Sequence, residues 1–227
     1  MSDWQDEPKV VSWRSSLTEH GTELKAMTPE WLYHKPNGEL LFGAFSVDAV
    51  DKHGHKFPSV VVLRGHAVVV VPVLRNRDTG EERFLAILQP RIGNGQTNLE
   101  FPAGMLDRQV DDPRGVAARE LHEETGLAIA AQRLRLLHPH PLHTSVGLLD
   151  EGIYFYGCSA ELSDHEYRSY DNRRSGSASE NEQITTVLRT AAEIRQQAQS
   201  VQTILGVMLF DARSSTEPPN HITRHTH

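Results

Sequence analysis

The chain has a single cysteine, Cys158, among its 227 residues. That excludes an intrachain disulfide and any structural zinc ribbon, and a reducing, cytoplasmic setting is the simplest expectation. Long apolar runs are missing as well. The longest, Val60–Leu63 and Ala67–Leu74, have the length of strands, whereas a membrane-spanning helix needs about 20 apolar residues. No membrane association is expected. Met1–Pro8 is acidic and lacks the basic and apolar regions of a secretory leader, so none is expected there. Positive charge is also short: 23 Lys and Arg against 30 Asp and Glu give a formal net charge of −7. Broad nucleic-acid binding depends on basic side chains that neutralise phosphates, so no nucleic-acid partner is expected. A small diphosphate remains possible, because metals and a few placed arginines supply positive charge locally. There is no internal repeat. Hydrophobic content of 38% and a mean hydropathy of −0.46 describe a globular chain with ample polar surface. Its length permits one sizeable domain, or a domain with an appendage.

Carboxylate is what the chain concentrates. In Arg119-Glu120-Leu121-His122-Glu123-Glu124-Thr125-Gly126, three glutamates fall within five positions. Residues three and four apart share a helix face, so Glu120 should point the same way as Glu123 and Glu124. Like charges at that spacing repel. Divalent cations would neutralise them, and oxygen-rich sites suit Mg²⁺ or Mn²⁺. The bland alternative is a solvated acidic surface helix. Both ends of this helix are marked: Asp111 or Asp112 as N-cap, Pro113 at the first helical position and Gly126 as a left-handed C-cap. Val116, Ala117, Ala118 and Leu121 supply an apolar face.

The rest of the chain reads more coarsely. Met1–Glu30 is mixed, with Trp4, Trp13 and Trp31 as scattered anchors. Leu40–Val50 and Lys56–Leu63 read as strands about a Gly-bearing turn at Asp51–His55, together forming an N-terminal arm. Core strands are expected over His66–Arg75, Arg83–Gln89 and Asn98–Phe101, then near Arg133–His138 and Gly152–Ala160. Ser163–Asn181 is polar and is expected to be a mobile loop. Ile194, Ala198, Val201, Leu205 and Met208 give Thr190–Phe210 a helical period, broken near Ser200. Ser214–His227 should fray. Most of the 13 histidines invite no metal reading. His138, His140 and His143 lie in a Pro-punctuated loop, and His221, His225 and His227 sit in the tail. His122 should be exposed. His66 reads equally as a substrate contact or as an inward strand histidine held by a local hydrogen bond.

From Gly104 to Leu127 the chain resembles the Nudix box: a glycine, a spaced acidic residue, then Arg-Glu-apolar-x-Glu-Glu-x-Gly-apolar. Arg119 to Leu127 match throughout. Asp111 is correctly placed from Arg119 but lies seven residues after Gly104, one too many, and is Asp rather than Glu. An insertion in Met105–Val110 accounts for this without moving the helix. Outside the box, Arg64-Gly65-His66-Ala67 and the valine run after it are similar to the strand opening of Nudix pyrophosphatases acting on ADP-ribose and other ADP-sugars. Gln89-Pro90-Arg91 and Leu99-Glu100-Phe101-Pro102-Ala103-Gly104 resemble the same subgroup's approach to the box. Ser145–Glu151 has the spacing of its catalytic loop, and Asn181-Glu182-Gln183-Ile184 looks like the start of its late strand. The resemblance covers about 64–210.

What the resemblance implies is an α/β Nudix fold, a mixed β-sheet sandwiched between helices, with an N-terminal β-strand arm. The division expected is 1–58 for the N-terminal segment with its arm, 59–211 for the hydrolase domain and 212–227 for a flexible tail. By likeness, the arm pairs with a second copy, implying a homodimer. The implied reaction is metal-dependent cleavage of a nucleoside diphosphate sugar, ADP-ribose or ADP-glucose, to AMP and a sugar phosphate. Mg²⁺, with Mn²⁺ as substitute, would be held by Glu120, Glu123, Glu124 and the backbone carbonyl of Ala103. Arg119 would pair with an acidic neighbour, Asp111 being the candidate. Glu151 resembles the loop base; its bland reading is an exposed turn carboxylate. Arg64, Arg91 and Glu100 are the implied substrate contacts, with Trp31, Tyr33, Phe42 or Phe45 stacking the base. Where ADP-ribose-preferring relatives often have Ser-Pro-Gly, this chain has Ser145-Val146-Gly147, which leaves the sugar open. Another substrate (GDP-sugar, NADH, dinucleoside polyphosphate) and a non-catalytic nucleotide sensor on the same fold are the alternatives.

Overall fold

A computed structural model describes residues 4–106, 112–175 and 183–214. The chain divides into two units: Met1–Val68, Gly104–Val116 and His140–Tyr154 form the first, and Val69–Ala103, Ala117–Pro139 and Phe155–His227 the second.

In the first unit, a helix, α1 (Pro8–Glu19), opens with proline at a position that needs no amide donor. A three-stranded antiparallel sheet follows, built from β1 (Glu23–His34), β2 (Leu40–Val50) and β3 (Val60–Leu63) in that order. Alternation along β2 turns Phe45 and Val47 inward. They join Val10, Leu40, Val61 and Leu63 in a core against which Trp4 and Trp13 pack. Burying one such side chain stabilises by about 1.5–3 kcal/mol. Two expectations need correction. Met1–Glu30, read only as mixed, holds α1 and much of β1. The sequence hid β1 because Pro29 sits within it, and proline breaks a strand ladder unless the register is irregular there. A register shift lies between Pro29 and Trp31. The second correction is that Lys56–Leu63 is a strand only from Val60, with Lys56 making an isolated bridge to Val50.

A larger sheet holds the remaining strands of the described residues. Its strands include β4 (Ala67–Asn76), β5 (Glu82–Arg91), β6 (Gln96–Glu100) and β7 (Ala103–Met105). Further along are β8 (Arg135–Leu136), β9 (Leu142–His143), β10 (Gly152–Leu162), β11 (Arg173–Ser175) and β12 (Ile184–Arg189). Among the described residues the order is β11-β12-β5-β4-β10-β8, with β6 on β5, β7 on β4 and β9 on β10. Val68 to Leu74 are all buried, as a near-continuous valine run requires of a strand covered on both faces. The turn into β5 is set by Asn76, whose Oδ1 accepts from the amides of Asp78 and Thr79, and by Gly80 at φ +77.

Helices α2 (Pro113–Thr125), α3 (Asp164–Arg168), α4 (Ala191–Gln197) and α5 (Val201–Ser214) complete the α/β fold. The break expected near Ser200 separates α4 from α5. The Thr203 hydroxyl donates to the Leu99 carbonyl at 3.2 Å. A Cβ at Gly206 would meet Val71 at 3.0 Å and Phe101 at 3.1 Å, so glycine lets α5 approach β4 closely. Over the described residues 163–175 the chain differs from the loop expected. Ser163 and Glu166 form a capping box at the start of α3, and β11 pairs with β12. The Ser-x-x-Glu signal was present but short. Asn181, Glu182 and the tail beyond 214 lie outside the described residues.

Candidate active site

The acidic helix α2 begins as its sequence dictates. Asp112 Oδ1 accepts from the Arg114 amide at 3.1 Å, and the Asp112 carbonyl accepts from the Val116 amide at 3.1 Å. Asp111, the other candidate cap, lies outside the described residues. At the far end Gly126 takes φ +75, and its amide donates to the His122 carbonyl at 2.7 Å. Ala117 and Leu121 are fully buried and Val116 nearly so. His122 is exposed, as expected.

The three carboxylates part company. Glu124 is 3% exposed, and its Oε2 accepts from the Ala103 amide at 3.1 Å. Glu120 is 15% exposed and accepts from Arg119 Nη2 at 2.9 Å. Glu123 is half exposed, with Arg119 Nε 3.8 Å away. Glu120 and Glu124 therefore share the sheltered face, and Glu123 turns to its margin. Arg119 lies on the helix's own glutamates; Asp111, the acidic neighbour expected to pair with it, lies outside the described residues. Among the described residues no three His, Cys, Asp or Glu side chains are gathered closely enough to hold an ion. The donor chemistry nonetheless fits a hard cation: carboxylate oxygens, one of them buried against the residue whose carbonyl is the fourth implied ligand. Arg119 places positive charge beside Glu120 and Glu123.

Two of the implied substrate contacts in this unit grip each other. Arg91 Nε lies 3.2 Å from both oxygens of Glu100, and Nη2 lies 2.8 Å from one of them. This two-pronged pairing of neighbouring strands fixes the guanidinium plane. The side chain of Arg91 remains 43% exposed, and Glu100 is largely covered.

In the first unit, Glu151 is 3% exposed, which removes the exposed-turn reading. Arg64 Nη1 lies 2.8 Å from its Oε1, and the Thr144 hydroxyl donates to Oε2 at 3.2 Å. Its neighbour Asp150 accepts from the amides of Arg64 at 2.7 Å and Gly65 at 3.0 Å. Gly65 adopts φ +82, a conformation costly for any side chain. His66 Nδ1 accepts from the Gly152 amide at 3.0 Å, so the local hydrogen bond accounts for this histidine. A cavity of about 600 Å³ in this unit is lined by Lys9, Trp13, His66, His143, Asp150 and Tyr154, among others. The contribution of α1 to it was not legible in the sequence. Nor was the anchoring role of Asp150, although an Asp-Glu pair ending a loop is a usable signal.

Of the aromatic candidates, Phe45 is wholly buried and tilted against Trp4, which rules it out as a base stacker. Trp31 and Tyr33 are about half exposed and stack at 5.9 Å, with Phe42 at 5.3 and 5.5 Å from them. Burial pushes the Cys158 thiol up to about 12, so it is no nucleophile. Among the described residues no helix is long and apolar enough to cross a membrane.

Residues 64–193 match the model of the NUDIX domain, and the chain belongs to that family. A curated relative, chloroplastic Nudix hydrolase 14 of Arabidopsis thaliana, is 28% identical over 178 residues, 75% of this chain. The match spans 57% of the relative's length. A solved structure of an ADP compounds hydrolase superposes with a TM-score of 0.59 at 14% identity, covering 86% of this chain and 94% of its own. At that identity the likeness speaks for the fold alone.

Proposed function

We propose that the protein is a divalent-metal-dependent pyrophosphohydrolase that cleaves the diphosphate of an ADP-sugar, ADP-ribose or ADP-glucose, to AMP and a sugar phosphate. The observation that carries this reading is the sheltering of Glu120 and Glu124 on one face of α2, with Glu124 fastened to Ala103. An acidic helix built only for solubility has no reason to bury a glutamate to 3% exposure.

Glu120, Glu124 and the Ala103 carbonyl would hold Mg²⁺ or Mn²⁺, with Glu123 reaching a second ion. Bound metal masks phosphate charge and acidifies water. Glu151 takes the proton from the attacking water, and Arg64 orients that carboxylate. A well-placed base contributes about 10²–10⁴ in rate. Arg91, held planar by Glu100, presents its exposed edge to phosphate oxygens. The aromatic ladder of Trp31, Tyr33 and Phe42 on the N-terminal arm supports base stacking and pairing of the arm in a homodimer. The Arabidopsis relative is a Nudix hydrolase and the structural neighbour an ADP compounds hydrolase, which agrees with this reading without selecting the sugar.

The test is a panel of ADP-ribose, ADP-glucose, GDP-mannose, NADH and a dinucleoside polyphosphate with Mg²⁺ or Mn²⁺, with products identified. AMP and sugar phosphate from an ADP-sugar, abolished by chelator, are expected. Preference for another member would move the substrate. Nucleotide binding without turnover under any metal would favour a sensor.

A further inference from the structure

We propose that His66 is a positioning residue for Glu151: its Nδ1 holds the Gly152 amide and so fixes the backbone immediately after the carboxylate. The inference rests on the reading of Glu151 as the base.

Three consecutive residues hold three others. The amides of Arg64 and Gly65 donate to Asp150, the Arg64 guanidinium pairs with Glu151, and the His66 ring takes the amide of Gly152. The left-handed turn at Gly65 brings successive residues round to face the same short segment. His66 is itself fastened at its backbone, where the Leu106 amide donates to its carbonyl at 2.9 Å. Gly152 leaves no slack against the ring. A Cβ there would sit 3.0 Å from Nδ1, 3.0 Å from Pro141 Cβ and 3.2 Å from His143 Cε1. With the loop clamped on both sides of position 151, the carboxylate has little freedom to leave its orientation. A base displaced by an ångström loses much of its effect.

The contact also fixes the protonation state. An amide N–H can only donate, so Nδ1 must carry a lone pair and the proton resides on Nε2. Protonating the ring would set two donors against each other. The groups facing the ring are Asp150, Glu151, His143 and the edge of Tyr154, whose ring centre is 6.0 Å away. Burial lowers the histidine's pKa most strongly and the charge of His143 lowers it further, against the opposing pull of Asp150 and Glu151. The neutral, amide-holding form therefore prevails at neutral pH.

The experiment compares wild type, His66→Ala, His66→Phe (which fills the space without an acceptor) and His66→Asn (whose Oδ1 can replace Nδ1), with Glu151→Gln in parallel. Gly152 amide exchange, kcat, KM and the pH profile are read for each. His66→Ala or His66→Phe, whichever folds, should speed Gly152 exchange about tenfold. It should also lower kcat about tenfold or more with KM within about twofold. His66→Asn should restore both and shift the acid limb of kcat to lower pH. Unchanged Gly152 exchange in the acceptor-free variant would overturn the proposal. So would undiminished kcat where Glu151→Gln has lost its own. If Glu151→Gln keeps full turnover, the base reading fails separately, and the Gly152 exchange rate alone decides whether His66 holds the loop.

Discussion

Arg64→Ala removes a half-exposed guanidinium from a carboxylate side chain that is only 4% exposed. Among the described residues the remaining side-chain partner of Glu151 is the Thr144 hydroxyl at 3.2 Å. Breaking a fully buried ion pair costs about 3–5 kcal/mol, because the surviving charge is stranded. That figure is too large here: Arg64 is 45% exposed, so water reaches its position once it is gone. An exposed pair is worth about 0–1 kcal/mol, and an unsatisfied buried polar group about 1–3 kcal/mol. The expected loss is about 2 kcal/mol, lying between these limits. For a chain of this size, about 2–4 °C of Tm goes with each kcal/mol, giving a drop of about 4–8 °C. Urea unfolding near pH 7.5 and calorimetry measure it. Adding Glu151→Gln should return about 1 kcal/mol, since an amide needs no counter-charge. Arg64→Ala within about 0.5 kcal/mol of wild type, the range of ordinary surface changes, would refute the reasoning. Arg64 would then be a solvated ligand arginine with no structural duty.

Four further outcomes are expected. Gly126→Ala should destabilise by about 1–2 kcal/mol, since φ +75 disfavours any side chain and the new Cβ would lie 2.7 Å from Arg173 Nη1; denaturant titration checks it. Cys158, its thiol pushed up to about 12, should resist alkylation at pH 8 in the native state and react on unfolding, as timed mass spectrometry would show. Because the folded-state pKa of His66 lies below its ordinary value, the unfolded chain binds the proton more readily. The histidine should therefore cost no stability above about pH 6.5 and should erode stability as pH falls below it. The slope of unfolding free energy against pH, compared with His66→Asn, measures this. Gly206→Ala should lower Tm, because its Cβ would crowd Val71 at 3.0 Å and Phe101 at 3.1 Å, both deep in the core.

Where local chemistry dominates, the structure was legible in advance. The valine run of β4 and the ends of α2 follow from burial and capping, and Ser200 breaks the C-terminal helical period as read. The two strands of the arm were visible, but their third partner was not. Within β1, Pro29 and the charges at Glu23, Lys25 and Glu30 disguise a strand that pairing with β2 enforces. In α1 only Val10 is fully buried, so its helical period is faint. At the site, residue types were readable and partners were not. That Arg91 grips Glu100, Arg64 grips Glu151 and Arg119 lies on its own helix depends on register and loop course, which one sequence does not specify. Phe45 failed as a stacker for the same reason: alternation along β2 decides which aromatic faces the core.

The central claim is that α2 holds divalent metal through Glu120 and Glu124. Titration of Mn²⁺ followed by electron paramagnetic resonance tests it without requiring a substrate. Wild type should bind the ion in competition with Mg²⁺, and Glu120→Gln and Glu124→Gln should each weaken binding by at least about tenfold. Equal Mn²⁺ binding by all three proteins, or none by the wild type, would contradict it.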